Sequence, residues 1–180
     1  MKKKLKLKNN IIPVNTPKIY SHEKEFILRC LSSGWISSEG PFVKEFEDKF
    51  SKYNKRKFGI AVSNGTAALE IALKSFNLKK GDEVIIPAFS IISTALCVVK
   101  LGLKPILVDC DAYYWNCNII DIKKKINKKT KAIILTHIYG FPIDLKDIIS
   151  YTKTLTADST NNRAIIPTKL SVEMDGIGGI

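Results

Sequence analysis

The sequence predicts an α/β fold with a mostly parallel sheet flanked by helices. Four short segments are continuously apolar and rich in β-branched residues, which is typical of strands covered on both faces. Helical patterns separate these segments, and this strand–helix–strand alternation implies right-handed crossovers between parallel strands. The predicted strands are "FGIAV" (58–62), "EVIIPAF" (83–89), "PILVD" (105–109) and "KAIILT" (131–136).

Two helices are predicted before the first strand. The segment 21–33 has Ser21 as a candidate N-cap, acidic residues in its first turn and Gly34 just past its end. The segment 41–54 begins with a proline, which is favoured at the first position of a helix. Helical spacing places four of its apolar residues on one face: Val43, Phe46, Phe50 and Tyr53.

The helices predicted between the strands differ in how much of their surface is apolar. The segment 66–76 is amphipathic, with Glu70 and Lys74 as an i,i+4 ion pair on its outer face. The segment 90–101 is apolar almost all round, which predicts a buried helix, whereas 121–129 is short, basic and exposed. In the first of these helices, the residues expected to face inward are Ala67, Leu69, Ile71, Ala72, Leu73 and Phe76.

The net charge of +12 does not by itself indicate a nucleic-acid partner. Nearly all of the positive charge is lysine spread along the chain, and only three residues are arginine. Nucleic-acid binders usually cluster their charge and use arginine for planar, bidentate contacts. We therefore expect no nucleic-acid partner; a chain that did bind one would lose affinity steeply with added salt.

Neither the cysteines nor the basic segment 1–10 indicates export or membrane insertion. The four cysteines form no C-x-x-C pair, and free thiols suit a reducing cytosol. No long apolar run follows "MKKKLKLKNN", so this segment is expected to be neither a signal peptide nor an anchor. We therefore expect a cytoplasmic protein with no membrane partner and no metal site.

The junction "SNGT" (63–66) is a candidate anion site. It directly follows the predicted strand 58–62 and directly precedes a predicted helix. Because parallel sheets bind ligands beyond the carboxyl ends of their strands, this junction is a suitable place for a ligand. Free N–H groups of Gly65, Thr66 and Ala67 would suit a phosphate, with the Thr66 hydroxyl adding a hydrogen bond. These residues equally allow a simple helix cap. No G-x-x-x-x-G-K-[ST] or G-x-G-x-x-G motif is present, so neither a nucleoside triphosphate nor a dinucleotide is indicated.

A second candidate segment follows the fourth predicted strand. His137 lies at the strand end, and Tyr139 and Gly140 come directly after it. This position allows a role in a ligand site, but a single histidine is also often structural. Both interpretations stay open on the residues alone.

Taken together, these segments resemble the DegT/StrS-type sugar aminotransferases, pyridoxal-phosphate enzymes of the aspartate-aminotransferase fold type. The resemblance covers roughly residues 11–150, and its motifs occur in the same order as in the family. "GWISSEGPFV" and Trp115-Asn116 are most similar to the perosamine-synthase branch. The resembling stretches are "IPVNTPKI", "GWISSEGPFVKEFEDKF", "SNGTAALEIAL", "GDEVIIPAFSIIST", "GLKPILVDCD", "WNCNIIDIKKKINKKTKAII" and "THIYGFPIDL".

The resemblance implies pyridoxal 5'-phosphate as the cofactor. In the family, the turn similar to Gly65-Thr66-Ala67 holds the phosphate of the cofactor. Ile91 stands where relatives usually have an aromatic ring stacked on the pyridine, and an isoleucine packs there without stacking. A carboxylate holds the pyridine nitrogen protonated. Here only Asp158, in "ADST" (157–160), resembles that residue, and a surface loop is the alternative.

The resemblance also implies a nucleotide-sugar substrate and an amino-acid donor. Two segments are expected to contribute to substrate binding in this chain. The first is the loop similar to one that lines the sugar-nucleotide site, and the second borders the cofactor in relatives. The residues concerned are Trp35, Ile36 and Ser37 in the first segment, and His137 and Tyr139 in the second.

The resemblance weakens towards the end of the chain. Residues 1–153, including a last helix at 144–153, are expected to be the N-terminal part of the enzyme's large domain. Residues 154–180 lack the next strand and are expected to be a divergent tail, frameshifted or disordered. The lysine that forms the Schiff base in the family lies farther along than this chain extends, and no lysine at 128–169 sits in its motif. We therefore assign no catalytic residue.

The expected function of the intact enzyme is transfer of an amino group, from glutamate, to a keto-sugar nucleotide. The product would be an amino sugar for surface polysaccharide, and relatives are homodimers. This chain is expected to be a truncated, inactive fragment. Three alternatives stay open: a binding module for phosphate or nucleotide sugar without chemistry, a basic nucleic-acid binder, and a relative of the pyridoxal-phosphate-dependent sugar dehydratases.

The 180-residue chain should not bind pyridoxal phosphate covalently through a lysine. When the purified protein is mixed with the cofactor, we expect no visible absorbance band of a protonated Schiff base. Absorption spectra before and after borohydride treatment check this. A band that borohydride abolishes would refute the expected inactivity.

Overall fold

The computed structural model describes residues 17–156 of the chain. Two helices, α1 (Ser21–Ser33) and α2 (Pro41–Tyr53), come first. Then α3 (Gly65–Ser75), β1 (Glu83–Pro87), α4 (Ser93–Lys100), β2 (Lys104–Val108), α5 (Ile119–Lys125) and β3 (Thr130–Ile133) alternate along the chain. A 3-10 turn at Ile138–Gly140 leads to α6 (Lys146–Thr156).

The three strands form one parallel sheet in the order β2-β1-β3. The central strand β1 pairs along its whole length with β2, from Glu83 opposite Lys104 to Pro87 opposite Val108. Its pairing with β3 shifts register once, between Glu83 and Val84. This architecture confirms the predicted parallel α/β fold for three of the four predicted strands.

The fourth predicted strand, 58–62, is not a strand in the structure. Among residues 17–156 no strand pairs with it, and its side chains Phe58 and Ile60 are 76% and 75% exposed. It lies instead along α2, because Ala61 donates its N–H to the Glu47 carboxylate at 2.8 Å. Gly59 permits this approach, since a Cβ there would lie 2.8 Å from the Glu47 carbonyl oxygen. The predicted strand is therefore wrong: the apolar pattern is present, but a strand also needs a hydrogen-bonded neighbour.

The sheet is covered by helices on both faces, as its apolar strands predict. Alternate residues of β1 point to opposite faces, so Val84 and Ile86 join one core and Ile85 joins the other. The first core includes Leu69, Leu73, Cys97, Val98, Leu103, Ala132 and Ile134, from α3, α4 and the neighbouring strands. The second includes Val108, Cys117, Ile122, Ile133, Leu135, Ile143 and Ile148, with α5 and α6 above it.

Three predictions for the helices on the first face are wrong in detail. Glu70 pairs with Lys100 of α4, at 2.7 and 3.0 Å, and not with Lys74. Ile71, predicted to face inward, is exposed. In α4 only one face is buried, with Leu96 and Val99 exposed, because a helix lying on a sheet can present just one side to it.

The two amino-terminal helices follow their predicted bounds closely. The N-cap of α1 is Tyr20 and not Ser21: the N–H of Tyr20 donates to the Glu23 carboxylate at 2.7 Å. Gly34 ends the helix in the left-handed conformation, as predicted. In α2 the predicted apolar face stays largely open, with Phe46 and Tyr53 exposed. Among the described residues, no helix has the length and apolarity needed to span a bilayer.

A buried carboxylate closes the amino end of the central strand. Glu83 is 5% exposed, and it accepts hydrogen bonds from Asn127 at 2.7 Å and from Lys104 at 3.2 Å. The Asn127 hydrogen bond is the largest influence and, with the Lys104 ammonium, holds the pKa of Glu83 below its usual value. The lowered pKa means that the ionised form stabilises the fold.

Glu83→Gln should lower the free energy of unfolding at neutral pH by about 1–2 kcal/mol, because charge-assisted hydrogen bonds are lost. The loss should vanish in acid, since the wild-type stabilisation disappears as pH falls through the lowered pKa of Glu83. Urea unfolding of the wild type and of Glu83→Gln, from neutral to acid pH, measures this difference in the free energy of unfolding. Glu45→Gln, at an exposed carboxylate paired with Lys49 on α2, is the control and should change little. Equal losses at neutral and acid pH would contradict the electrostatic explanation.

Candidate functional site

The amino end of α3 presents unpaired backbone donors at the carboxyl edge of the sheet. Asn64 caps the helix, and its side-chain oxygen accepts from the N–H of Ala67 at 2.9 Å. The N–H groups of Gly65 and Thr66 have no acceptor among the described residues. The prediction of three free donors is therefore corrected to two, because the helix cap uses the third.

A hydroxyl network lies beside these donors. Thr66 donates its hydroxyl to Ser93 at 2.9 Å, which joins the first turns of α3 and α4. Ser90, just after β1, lies 3.2 Å from the Thr94 hydroxyl and 3.1 Å from the Thr136 hydroxyl. Thr66 thus contacts the start of α4 through Ser93, and Ser90 connects the adjacent residue Thr94 to Thr136, which follows β3. Sequence reasoning missed this network, although each hydroxyl residue stands near a predicted strand end or helix start.

This arrangement suits a phosphate. We call the N–H groups of Gly65 and Thr66, together with the Thr66 hydroxyl, the anion site. Unpaired N–H groups at a helix start, on the positive end of the helix dipole, are well suited to bind an anion. Hydroxyl hydrogens rotate, so Thr66 can turn its donor from Ser93 to a ligand and accept a hydrogen bond from Ser93 instead. The donors present fit the phosphate of pyridoxal phosphate.

Ile91 is exposed between the hydroxyl network and α4. Its carbonyl accepts from the Thr94 N–H at 3.1 Å, so the backbone at this position is held by the first turn of α4. An exposed isoleucine at this edge can cover one face of a planar ring by apolar contact. Its predicted contact with the cofactor ring stays a prediction.

His137 supports a loop. The side chain is 8% exposed, and its Nδ1 accepts from the N–H of Ile143 at 3.0 Å. In a neutral ring, this hydrogen bond assigns the proton to Nε2. The geometry favours the structural interpretation of His137, and its predicted contact with the substrate stays a prediction.

Tyr139 belongs to an aromatic cluster on the rim of the sheet. Trp115 contacts Phe89 edge to face, with ring centroids 5.5 Å apart, and Tyr139 at 6.5 Å. Trp115 and Tyr139 both have left-handed backbones, with φ of 61° and 51°. Such conformations are costly outside glycine and concentrate at functional sites. Tyr139 is 76% exposed and is available to a ligand.

Asn116 connects the two strained segments. It is buried, donates its side-chain N–H to the Phe141 carbonyl at 3.0 Å, and accepts from the N–H of Ile138 at 3.0 Å. Both hydrogen bonds go to backbone groups that flank Tyr139. The sequence motif Trp115-Asn116 thus has a physical role: Asn116 fixes the loop, and Trp115 packs on it.

The other predicted site residues do not join the anion site. Trp35, Ile36 and Ser37 are exposed between α1 and α2. Trp35 packs closely against Gly40: a Cβ added to this glycine would lie 3.3 Å from the Cβ of Trp35. None of the described hydrogen bonds and ring contacts links this loop to the Thr66 network, so its substrate role stays a prediction. Asp158 lies outside the described residues. Within 17–156, no three His, Cys, Asp or Glu side chains cluster as metal ligands would.

Comparison with known proteins gives one family. Residues 17–156 match the model of the DegT/DnrJ/EryC1/StrS aminotransferase family. The chain is 41% identical over 143 residues to the GDP-perosamine synthase of Escherichia coli O157:H7. That match covers 79% of this chain and 39% of the relative, so the chain spans about two fifths of the relative's length.

Solved structures share the fold. Spr1654 of Streptococcus pneumoniae, in its PLP form, superposes with a TM-score of 0.74 and 29% identity, over 81% of this chain and 37% of that one. E. coli GDP-4-keto-6-deoxy-D-mannose-3-dehydratase, with bound hydrated PLP, also has a TM-score of 0.74, with 26% identity, over 85% and 39%. The fold is that of the PLP fold type I enzymes, as the sequence resemblance predicted.

Asn116→Ala should lower the free energy of unfolding by about 1–3 kcal/mol, because it leaves the buried N–H of Ile138 and the part-buried carbonyl of Phe141 without their partner. Asn116→Asp keeps the acceptor for the Ile138 N–H but places a carboxylate oxygen against the Phe141 carbonyl, so its loss should be smaller in acid, where the protonated carboxyl can donate, than at neutral pH. Urea unfolding measures the stability, and hydrogen exchange at the amide of Ile138 reports the loop. Unchanged exchange in Asn116→Ala would contradict the supporting role.

Proposed function

This chain belongs to the DegT/DnrJ/EryC1/StrS aminotransferase family, and on that premise we propose that it supplies the phosphate-binding part of a pyridoxal-phosphate-dependent sugar aminotransferase. The observation that carries the proposal is the pair of unpaired N–H groups at Gly65 and Thr66. They begin an 11-residue helix, so the dipole adds to the attraction for the dianionic phosphate.

Each residue at this edge has a separate task in binding the cofactor. The anion site holds the phosphate, and the Ser93 hydroxyl orients the Thr66 hydroxyl. Ile91 packs on one face of the pyridine ring and thereby excludes water from it. When bound, pyridoxal phosphate supplies the electron sink that amino transfer requires. The chain's own contribution is to position that ring above the carboxyl edge of the sheet.

The proposed substrates are a keto-sugar nucleotide as amino acceptor and an amino acid as donor. The similarity to a GDP-perosamine synthase supports this substrate class. Tyr139 is exposed on a rim fixed by Asn116, where a sugar ring can pack against an aromatic face. We also assign Trp35, Ile36 and Ser37 to substrate binding, and we place the reaction in the cytoplasm.

A homodimer is part of the proposal. The helix α1 buries none of its residues, although it carries four large apolar side chains that are exposed. Soluble monomers rarely leave several large apolar side chains of one helix open, so a second copy is a suitable cover. The exposed side chains are Phe26, Ile27, Leu28 and Leu31.

The similarity to a sugar dehydratase favours a second candidate function. The structure of GDP-4-keto-6-deoxy-D-mannose-3-dehydratase matches this chain as well as Spr1654 does by TM-score. Both functions share the anion site and a keto-sugar nucleotide. They differ in chemistry that residues 17–156 do not decide, so the test below addresses the cofactor site common to both.

Thr66→Val should weaken binding of pyridoxal phosphate by about tenfold, because one hydrogen bond to a charged group is worth about 1.5 kcal/mol. Binding of pyridoxal, which lacks the phosphate, should stay unchanged. Ser93→Ala keeps the Thr66 hydroxyl and should cause a smaller loss. Isothermal titration calorimetry with both ligands measures these changes.

The control is Ser75→Ala, at the opposite end of α3, where the hydroxyl donates only to the Ala72 carbonyl. This variant should bind both ligands as the wild type does. If the wild type bound pyridoxal as tightly as pyridoxal phosphate, or if Thr66→Val weakened both alike, the phosphate site would be refuted. A nucleotide sugar that bound while pyridoxal phosphate did not would favour the binding module without chemistry.

A further inference from the structure

We propose that Cys110 and Cys117 form a disulfide when the protein is oxidised, and that this pair is a redox modification site on the rim of the sheet. The two cysteines lie in the hairpin that follows β2. The inference rests on backbone pairing in this hairpin and does not depend on the proposed enzymatic function.

The backbone places the two residues directly opposite each other. Cys110 and Cys117 form an isolated antiparallel bridge. Its two hydrogen bonds lie on either side of the cysteines: the N–H of Asp111 donates to the Asn116 carbonyl at 2.7 Å, and the N–H of Asn118 donates to the Asp109 carbonyl at 3.1 Å. The cysteines are therefore a non-hydrogen-bonded pair, whose side chains project from the same face of the ladder.

This pairing meets the distance requirement of a disulfide. Non-hydrogen-bonded antiparallel pairs have Cα atoms about 4.5 Å apart. Disulfides span Cα separations of about 4.4–6.8 Å, so closure needs only side-chain rotation and a small backbone adjustment. The other two cysteines have no such partner among the described residues: Cys30 lies on α1, and Cys97 is buried in α4, where it donates to the Thr94 carbonyl.

The two thiols differ in environment, and this difference sets the order of reaction. Cys110 is partly exposed, whereas Cys117 is 5% exposed. Burial raises the pKa of the Cys117 thiol to about 12, and the neighbouring Cys110 makes a smaller contribution in the same direction. Cys110 is therefore the thiol that an oxidant meets first.

With hydrogen peroxide as the oxidant, the reaction balances in two steps. The Cys110 thiolate attacks one peroxide oxygen, becomes a sulfenic acid and releases hydroxide, which is protonated to water. The Cys117 sulfur then attacks the Cys110 sulfur, loses its proton and expels the hydroxyl as a second water. Two thiols and one peroxide thus give one disulfide and two waters. Because Cys117 is rarely ionised, the second step should be slow and should accelerate as pH rises.

The disulfide would act on the segment between the two cysteines. Residues 111–116 include Trp115, which packs on Tyr139, and Asn116, which holds the backbone on both sides of Tyr139. Closing the base of this loop restricts how far Asn116 can move away from its two partners. Oxidation should therefore slow hydrogen exchange at the Ile138 amide, and a reducing agent should reverse the effect.

Mass spectrometry tests the proposal. The folded protein is treated with hydrogen peroxide, and separately with oxidised glutathione, then free thiols are blocked and the chain is cleaved before aspartate residues. Cleavage before Asp111 separates the two cysteines, so a disulfide appears as two peptides that stay joined until reduction. We expect this linked pair in the wild type and in Cys30→Ser, and its complete loss in Cys110→Ser.

Three results would overturn the proposal. Cys110 could be recovered as a mixed disulfide with glutathione, or over-oxidised, while Cys117 remains blocked as a free thiol. Cys110 could instead be joined to Cys30 or Cys97. Lastly, the linked pair could form only in denaturant. Circular dichroism of the oxidised wild type and of Cys110→Ser shows that the folded state is the one being tested.

Discussion

The parallel pairing of β1 with strands on both sides is the constraint on which the rest of the structure depends. Because β1 is central and its residues alternate between two cores, its path fixes the helices on both faces. The Glu83 carboxylate closes its amino end, and at its carboxyl end Ser90 reaches the hydroxyls of Thr94 and Thr136. One strand therefore supports stability at one end and positions the candidate site at the other.

The site combines two kinds of backbone with different physical properties. At the anion site, regular helix geometry leaves the Gly65 and Thr66 donors unpaired, so the donors available to a ligand are those of an ordinary helix start. On the rim, Trp115 and Tyr139 adopt unfavourable backbone conformations. The buried Asn116 offsets that cost with two hydrogen bonds to the backbone beside Tyr139. Because Asn116 makes both of these hydrogen bonds, a change at the base of its loop, including the proposed disulfide, acts directly on the backbone beside Tyr139.

Much of the fold could be predicted because its signals are local. Ser21–Ser33 and Pro41–Tyr53 begin and end close to where the sequence places them, since Gly34 and Pro41 are strong end signals. The three paired strands were recognisable because apolar runs covered on both faces lack alternation. Residues 58–62 share that composition, yet the structure leaves them unpaired, since composition does not reveal whether a neighbour is available.

The sequence alone determined the parallel α/β class, the family and the helix start at Gly65, because each depends on residue order within a short segment. Only the tertiary structure decided which partners these residues have. Glu70 pairs with Lys100, 30 positions away, His137 holds Ile143, and Cys110 faces Cys117 across a hairpin. Periodicity specifies which face of an element is apolar, but long-range partners depend on how the elements pack, and packing is a property of the whole chain.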